Sequence, residues 1–349
     1  MSSTTKGNGK RPITVVTGFL GSGKTTLLRR VLAGAETRGT AVLINEFGEV
    51  GLDHHLVQQV DEQTILLGNG CVCCTVREDL VQALRDLLDQ DQRGAIAPLK
   101  RLIVETTGLA DPAPILFTVE TDPMLRHHFR IERVVATVDA VNGNHHLDQH
   151  AVSVKQVAAA DEVIVTKTDM AASDTTEFLM TRLHTINPSA HYTTSIFGEM
   201  DPGWLFTPGV RNLRAERLPH ASPLAAPLST GETPEPDRGT RSISFTFAQP
   251  LDWVAFSVWL SMLLHAHGES VLRVKGLLNV GATGPVVLNG VQHIIHAPEH
   301  LPAWPDADHR SHLVFILHGL EPLAIERSLQ AFQRLLGAPP RMDTMDLLR

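Results

Sequence analysis

Cysteine is nearly absent from this chain: there are three, Cys71, Cys73 and Cys74, all within one short window. An odd number of thiols crowded in one place excludes a disulfide framework. Aromatic residues make up only 5%, with a single tyrosine, Tyr192, which removes the stacking platforms that single-stranded nucleic acids need. Positive charge is not in excess either; the formal net charge of −8 argues against a broad nucleic-acid surface. No apolar run approaches the ~18 residues of a membrane span. The start, Met1 to Pro12, is polar and basic, unlike a secretory signal, so a cytoplasmic location is expected. What is present, 349 residues with 43% hydrophobic and 19% charged, suits an ordinary globular protein of about two domains.

Through the first two hundred residues, β-rich runs alternate with amphipathic helical patterns. Strands are expected at 13–17, 40–44, 64–67, 101–105, 133–138, 162–166 and 191–195, and helices at 24–33, 77–89, 154–160 and 175–186. Several of these runs are apolar throughout (Leu102-Ile103-Val104, Val163-Ile164-Val165), as happens when helices cover both faces of a parallel sheet. The pattern predicts a doubly wound, mostly parallel α/β domain over residues 1–215. A proline-rich linker follows at 216–240, with Pro219, Pro223, Pro227, Pro234 and Pro236. Residues 241–349 read as a smaller α+β domain. It has strands at 242–247, 271–279, 285–288, 291–296 and 312–317, a helix capped by Asp252 and stopped at Gly268, and another opened by Pro322 and closed at Gly337. Asn289-Gly290 is expected to be a two-residue hairpin turn.

The first strand runs into Gly18-Phe19-Leu20-Gly21-Ser22-Gly23-Lys24-Thr25-Thr26, which satisfies G-x-x-x-x-G-K-[ST] between a strand and a helix. Gly18, Gly21, Ser22 and Gly23 let backbone N–H groups converge on a phosphate, aided by the helix dipole. Lys24 is expected to reach the β/γ oxygens, and the hydroxyl of Thr25, beside Thr26, to ligate Mg²⁺. Glu105 ends a strand and is followed by Thr106-Thr107-Gly108. It is placed on the Mg²⁺ side, directly or through a water, while the N–H of Gly108 can sense the γ-phosphate. Lys24, Thr25 and Glu105 are thus the expected catalytic residues. Farther on, Thr166-Lys167-Thr168-Asp169 offers Asp169 to the two donors of guanine, a pair adenine lacks, with Lys167 along the base. The usual first residue of that guanine motif is Asn, so Thr166 is a departure.

The cysteines lie in Gly70-Cys71-Val72-Cys73-Cys74-Thr75, between a strand and a helix. Thiols near a helix N-terminus carry thiolate character, and three thiolates suit Zn²⁺ with a fourth position left for water or a side chain. Glu46, Glu49, His54 and His55 are candidates for it, Glu49 first. The C-x-C-C spacing is not that of a thioredoxin-type redox pair.

Taken together, the phosphate loop, Asn45-Glu46-Phe47-Gly48-Glu49, the C-x-C-C, Glu105 through Pro112 and Thr166 through Asp169 resemble the CobW-type metallochaperone GTPases, relatives of the GTPases that load nickel into hydrogenase and urease. Past the linker, Arg273-Val274-Lys275-Gly276, Gln292-His293 and Trp304-Pro305 resemble the CobW C-terminal domain. The resemblance implies GTP hydrolysis coupled to delivery of a transition metal, most often zinc, with Co²⁺ or Fe²⁺ as other cargoes, to a client metalloprotein. Branches of the family serve cobalamin synthesis and nitrile hydratase activation. Two other readings stay open here: a phosphate-loop phosphotransferase, and a nucleotide-dependent scaffold with a structural metal. The histidine groups, 145, 146 and 150 and the six from His293 to His318, are expected to be ordinary residues rather than a second metal site.

Overall fold

The computed structural model describes residues 9–33, 39–44, 64–66, 75–201, 204, 239–335 and 342–348. The chain divides into two units, Met1–Leu179 with His191–Val210, and Met180–Ala190 with Arg211–Arg349. The first holds strands β1 (Arg11–Gly18), β2 (Thr40–Ile44), β3 (Thr64–Leu66), β4 (Arg101–Glu105), β5 (Phe129–Asp139), β6 (Glu162–Thr166) and β7 (His191–Ser195). They form one parallel sheet in the order β3-β2-β4-β1-β5-β6-β7. The apolar strands are buried as their sequences require: Val15, Val16, Val104, Val163, Ile164 and Val165 are all 0% exposed.

Strand order sets where a ligand can bind. The chain leaves β1 toward β4 and β2 on one side, then returns past it to β5 and β6 on the other. The carboxyl ends of β4, β1 and β5 therefore border a crevice at the point of reversal. The helices around this sheet are α1 (Lys24–Leu32), α2 (Thr75–Gln92), α3 (Ala113–Thr121), α4 (Pro123–His128), α5 (Gly143–Gln149), α6 (Ala151–Ala159) and α7 (Ser173–Ile186), whose end belongs with the second unit. Of these, α3, α4 and α5 go beyond the sequence-based expectation. The α3 sequence is apolar nearly all round, so no amphipathic period betrays it. Helix α4 is fixed by its cap, with the Asp122 carboxylate accepting from Met124 N and Leu125 N, both at 3.0 Å.

The second unit is antiparallel. Strands β8 (Thr240–Phe247), β9 (Val271–Leu278), β10 (Val286–Val291), β11 (Ile294–Ile295), β12 (Glu299–His300), β13 (Ser311–His318) and β14 (Met342–Leu348) form one sheet in the order β11-β10-β9-β13-β8-β14, with β12 beside β10. Helices α8 (Trp253–His267) and α9 (Pro322–Leu335) supply Phe256, Trp259, Leu263, Ile325 and Leu329 to its core, against Phe245, Phe247, Val274 and Phe315. The expected Asp252 cap is present, accepting from Ala255 N at 3.0 Å.

The Asn289-Gly290 hairpin is not there. Strand β10 runs straight through both residues, and the turn is at Gln292-His293, with Gln292 at φ 52. Asn289 instead accepts from Arg273 Nη2 at 3.3 Å. Gly290 is a glycine because a Cβ there would lie 2.8 Å from both Ile294 O and Val274 Cγ1. Close backbone approach, not turn geometry, selects the glycine. Among the described residues no helix is long and apolar enough to cross a membrane.

Candidate functional site

The loop from Gly18 to Thr25 closes over the carboxyl end of β1. Gly18 has φ 140, and a Cβ on it would sit 2.4 Å from Thr137 O, so no other residue fits. Gly21 and Gly23 also take positive φ, 71 and 94, and Gly23 is the residue from which α1 starts. The Ser22 hydroxyl pairs with Thr137 Oγ1 of β5 at 2.6 Å, tying the loop to the sheet. Lys24 is only 8% exposed, and its Nζ donates to Gly18 O at 2.8 Å and Phe19 O at 3.1 Å. The ammonium is thus held at the mouth of the loop. Thr26 follows in the first turn of α1.

Glu105 and Thr25 meet: Thr25 Oγ1 donates to Glu105 Oε1 at 3.0 Å, and Glu105 is 4% exposed. A hydroxyl and a carboxylate converging beside a phosphate loop are hard oxygen donors, the set Mg²⁺ takes. Gly108 lies next to the loop, where a Cβ would stand 2.6 Å from Leu20 N. The Gly108 backbone is therefore pressed against the phosphate loop, and glycine is required for that approach.

On the other side of β1, Lys167 has φ 57 and donates from Nζ to Asp139 Oδ2 at 2.7 Å. Burial alone would raise the Asp139 carboxyl. The Lys167 ammonium, the Asn142 amide and the Val141 N–H outweigh it and hold the group below the usual carboxylate range. Sequence reasoning missed Asp139, although an acid at the carboxyl end of an expected strand was a usable signal. Asp169 is exposed, so its carboxylate is available to an incoming base. Thr166, the departure from Asn, is 4% exposed and donates its single hydroxyl proton to Ser22 O at 2.7 Å, with Val138 O at 3.3 Å as the longer alternative. It fastens β6 to the phosphate loop.

Phe19, on that loop, packs against both His146 and His150, with ring centroids 4.4 and 4.5 Å away. Burial lowers the His146 imidazole from its ordinary value, and His150, His145 and Lys167 add to this against Asp139. The two imidazoles pack against Phe19 as an aromatic wall. Among the described residues no three His, Cys, Asp or Glu side chains are grouped as a metal would require. Cys71, Cys73 and Cys74, with Glu46, Glu49, His54 and His55, lie outside the described residues. The same holds for most of the proline-rich stretch, although Thr240, its last expected residue, already opens β8.

Residues 12–194 match the family described as CobW/HypB/UreG, nucleotide-binding domain, and residues 240–333 match the cobalamin synthesis protein cobW C-terminal domain. The zinc chaperone YjiA of Escherichia coli is 35% identical over 305 residues, covering 87% of this chain and 93% of that protein. Zinc-regulated GTPase metalloprotein activator 1 of Schizosaccharomyces pombe is 33% identical over 197 residues, covering 54% of this chain and 47% of that protein. A crystal structure of the Zn(II)-bound YjiA GTPase from E. coli superposes with a TM-score of 0.67 at 29% identity, covering 93% of this chain and 99% of that one.

Proposed function

The chain belongs to the CobW/HypB/UreG family, and from that premise we propose that it is a GTP-hydrolysing zinc chaperone that passes its metal to a client metalloprotein under nucleotide control. It is a GTPase of the phosphate-loop type. The observation that carries the reading is the convergence of Lys24, Thr25 and Glu105 on one loop, with Lys167 and Asp169 across β1.

Phosphoryl transfer asks little covalent chemistry of a protein and much positioning. The backbone N–H groups of 18–25 receive the phosphate oxygens, and the charge of Lys24 meets the transferring phosphoryl. Thr25 and Glu105 would hold Mg²⁺, which when bound offsets phosphate charge. Asp169 and Lys167 select the base, with Asp139 fixing the lysine through the 2.7 Å ion pair. Zinc is the cargo, assigned to Cys71, Cys73 and Cys74, with Glu49 as the first candidate for a further ligand. The cysteine segment lies in the chain between the phosphate loop and Glu105, where γ-phosphate can act on it.

Asp169→Asn tests the base assignment. Asn keeps one acceptor and turns the other toward guanine as a donor, so GTP should bind roughly tenfold or more weakly, the scale of a lost buried polar pairing, while ATP is unaffected or improved. Fluorescent-nucleotide competition measures it. Equal affinity of the unmutated protein for ATP and GTP would contradict the guanine assignment.

A further inference from the structure

Helix α6 grips the segment that follows Glu105. Gln156 is 1% exposed, and its amide donates both protons, to Gly108 O at 3.1 Å and Ala110 O at 3.0 Å. The preceding residue, Lys155, reaches Asp111 Oδ2 at 3.2 Å, and Asp111 Oδ1 accepts from Ala113 N to start α3. Two consecutive α6 side chains thus hold residues 108–111 at three points. One face of Gly108 is pinned by Gln156 while its Cα side abuts Leu20 of the phosphate loop. Gln156 also borders a cavity of about 10 Å³, room for a single water, lined by Phe19, Ser22, Asp139 and His146. Gly108 therefore sits between the glutamine amide and the phosphate loop.

We infer that Gln156 is a positioning residue of the hydrolysis site, a latch that presents the Gly108 N–H to the γ-phosphate. The inference rests on the GTPase reading above and adds a residue to it. Both amide protons of one side chain are used on carbonyls two residues apart, so the latch fixes the peptide planes that follow Gly108 and Ala110. Through the Gly108 Cα it sets where the preceding N–H lies. A segment held in place before the nucleotide arrives costs no ordering on binding, and only a nucleotide with a γ-phosphate collects that benefit. GDP does not reach it.

Gln156→Met keeps the length and removes both donors. In the full chain, backbone amides of residues 106–111 should exchange with deuterium about tenfold faster than in the unmutated protein, while those of 162–166 are unchanged. The ratio of affinities for a non-hydrolysable GTP analogue and for GDP should fall about tenfold, with GDP affinity retained. Should the variant fold poorly, Gln156→Asn, which leaves the amide one methylene short of both carbonyls, is measured the same way. Unchanged exchange in 106–111 would overturn the latch. Equal weakening of both nucleotides would overturn it too, because a merely structural residue acts on both. Failure of the unmutated chain to bind either nucleotide would instead contradict the GTPase reading, and the exchange experiment would still decide whether Gln156 holds the segment.

Discussion

Replacing Lys24 by Ala should lower GTP hydrolysis by roughly 10²–10³-fold, the cost of removing one preorganised charge or donor from a transition state. The ammonium is 8% exposed and is aimed by two carbonyls of its own loop, Gly18 O and Phe19 O, so it is in place before any phosphate arrives. A charge that need not reorganise is worth most when new negative charge develops on the transferring group. Removing it leaves the backbone N–H groups of 18–25, so nucleotide should still bind, more weakly. The expected signature is a rate that falls further than the affinity does. Phosphate release under single-turnover conditions measures the rate, and far-UV circular dichroism checks that α1 and β1 remain. Undiminished hydrolysis would take the phosphate loop out of the chemistry altogether.

The double replacement Cys73→Ser and Cys74→Ser should weaken zinc binding by about a thousandfold or more. Tight four-ligand zinc sites are worth ~10–16 kcal/mol, so losing two thiolates removes several kcal/mol. Serine keeps the size roughly but its hydroxyl does not ionise near neutral pH and is a poor ligand for a soft cation. Thiolate ligation also fixes the sign of the pH dependence. If Cys71, Cys73 and Cys74 bind zinc as thiolates, binding must displace their protons, so affinity should fall as pH is lowered and each thiol becomes harder to strip. Affinity rather than zinc content is the quantity to read, because imidazoles in general bind zinc weakly and this chain has 18 histidines. Phosphate-loop function should survive, as the bonds from Lys24 to Gly18 O and from Thr25 to Glu105 involve no cysteine. Unaltered tight zinc binding would move the cargo site elsewhere in the chain.

Much of the first unit was legible because its signals are local. A continuous apolar run such as Val163-Ile164-Val165 can only be buried on both faces, and the phosphate loop carries its own backbone requirements in Gly18 and Lys24. What escaped were features set by distant partners. Gln156 looks like any polar residue of an amphipathic helix until the fold brings Gly108 and Ala110 under it. Thr166 read as a weakness in the guanine motif, yet its hydroxyl ties β6 to Ser22, a contact across 144 positions of sequence. Asn289-Gly290 carried the strongest turn chemistry in the second unit and lost to tertiary packing. A glycine that lets Val274 and Ile294 approach has the same letter as one that turns a chain. Helix α3 hid for the opposite reason, being apolar on nearly every side.

The central claim is that nucleotide state controls the metal. If the segment carrying Cys71, Cys73 and Cys74 answers to the γ-phosphate, zinc affinity must differ between the two nucleotide states, and by linkage zinc must shift nucleotide affinity by the same factor. The direct measurement is a zinc competition titration against a chromophoric chelator, run once with a non-hydrolysable GTP analogue bound and once with GDP bound. A difference of roughly tenfold, about 1.4 kcal/mol of coupling, is the predicted result. Identical zinc affinities in the two states would contradict nucleotide-controlled transfer and leave a GTPase that merely carries a metal.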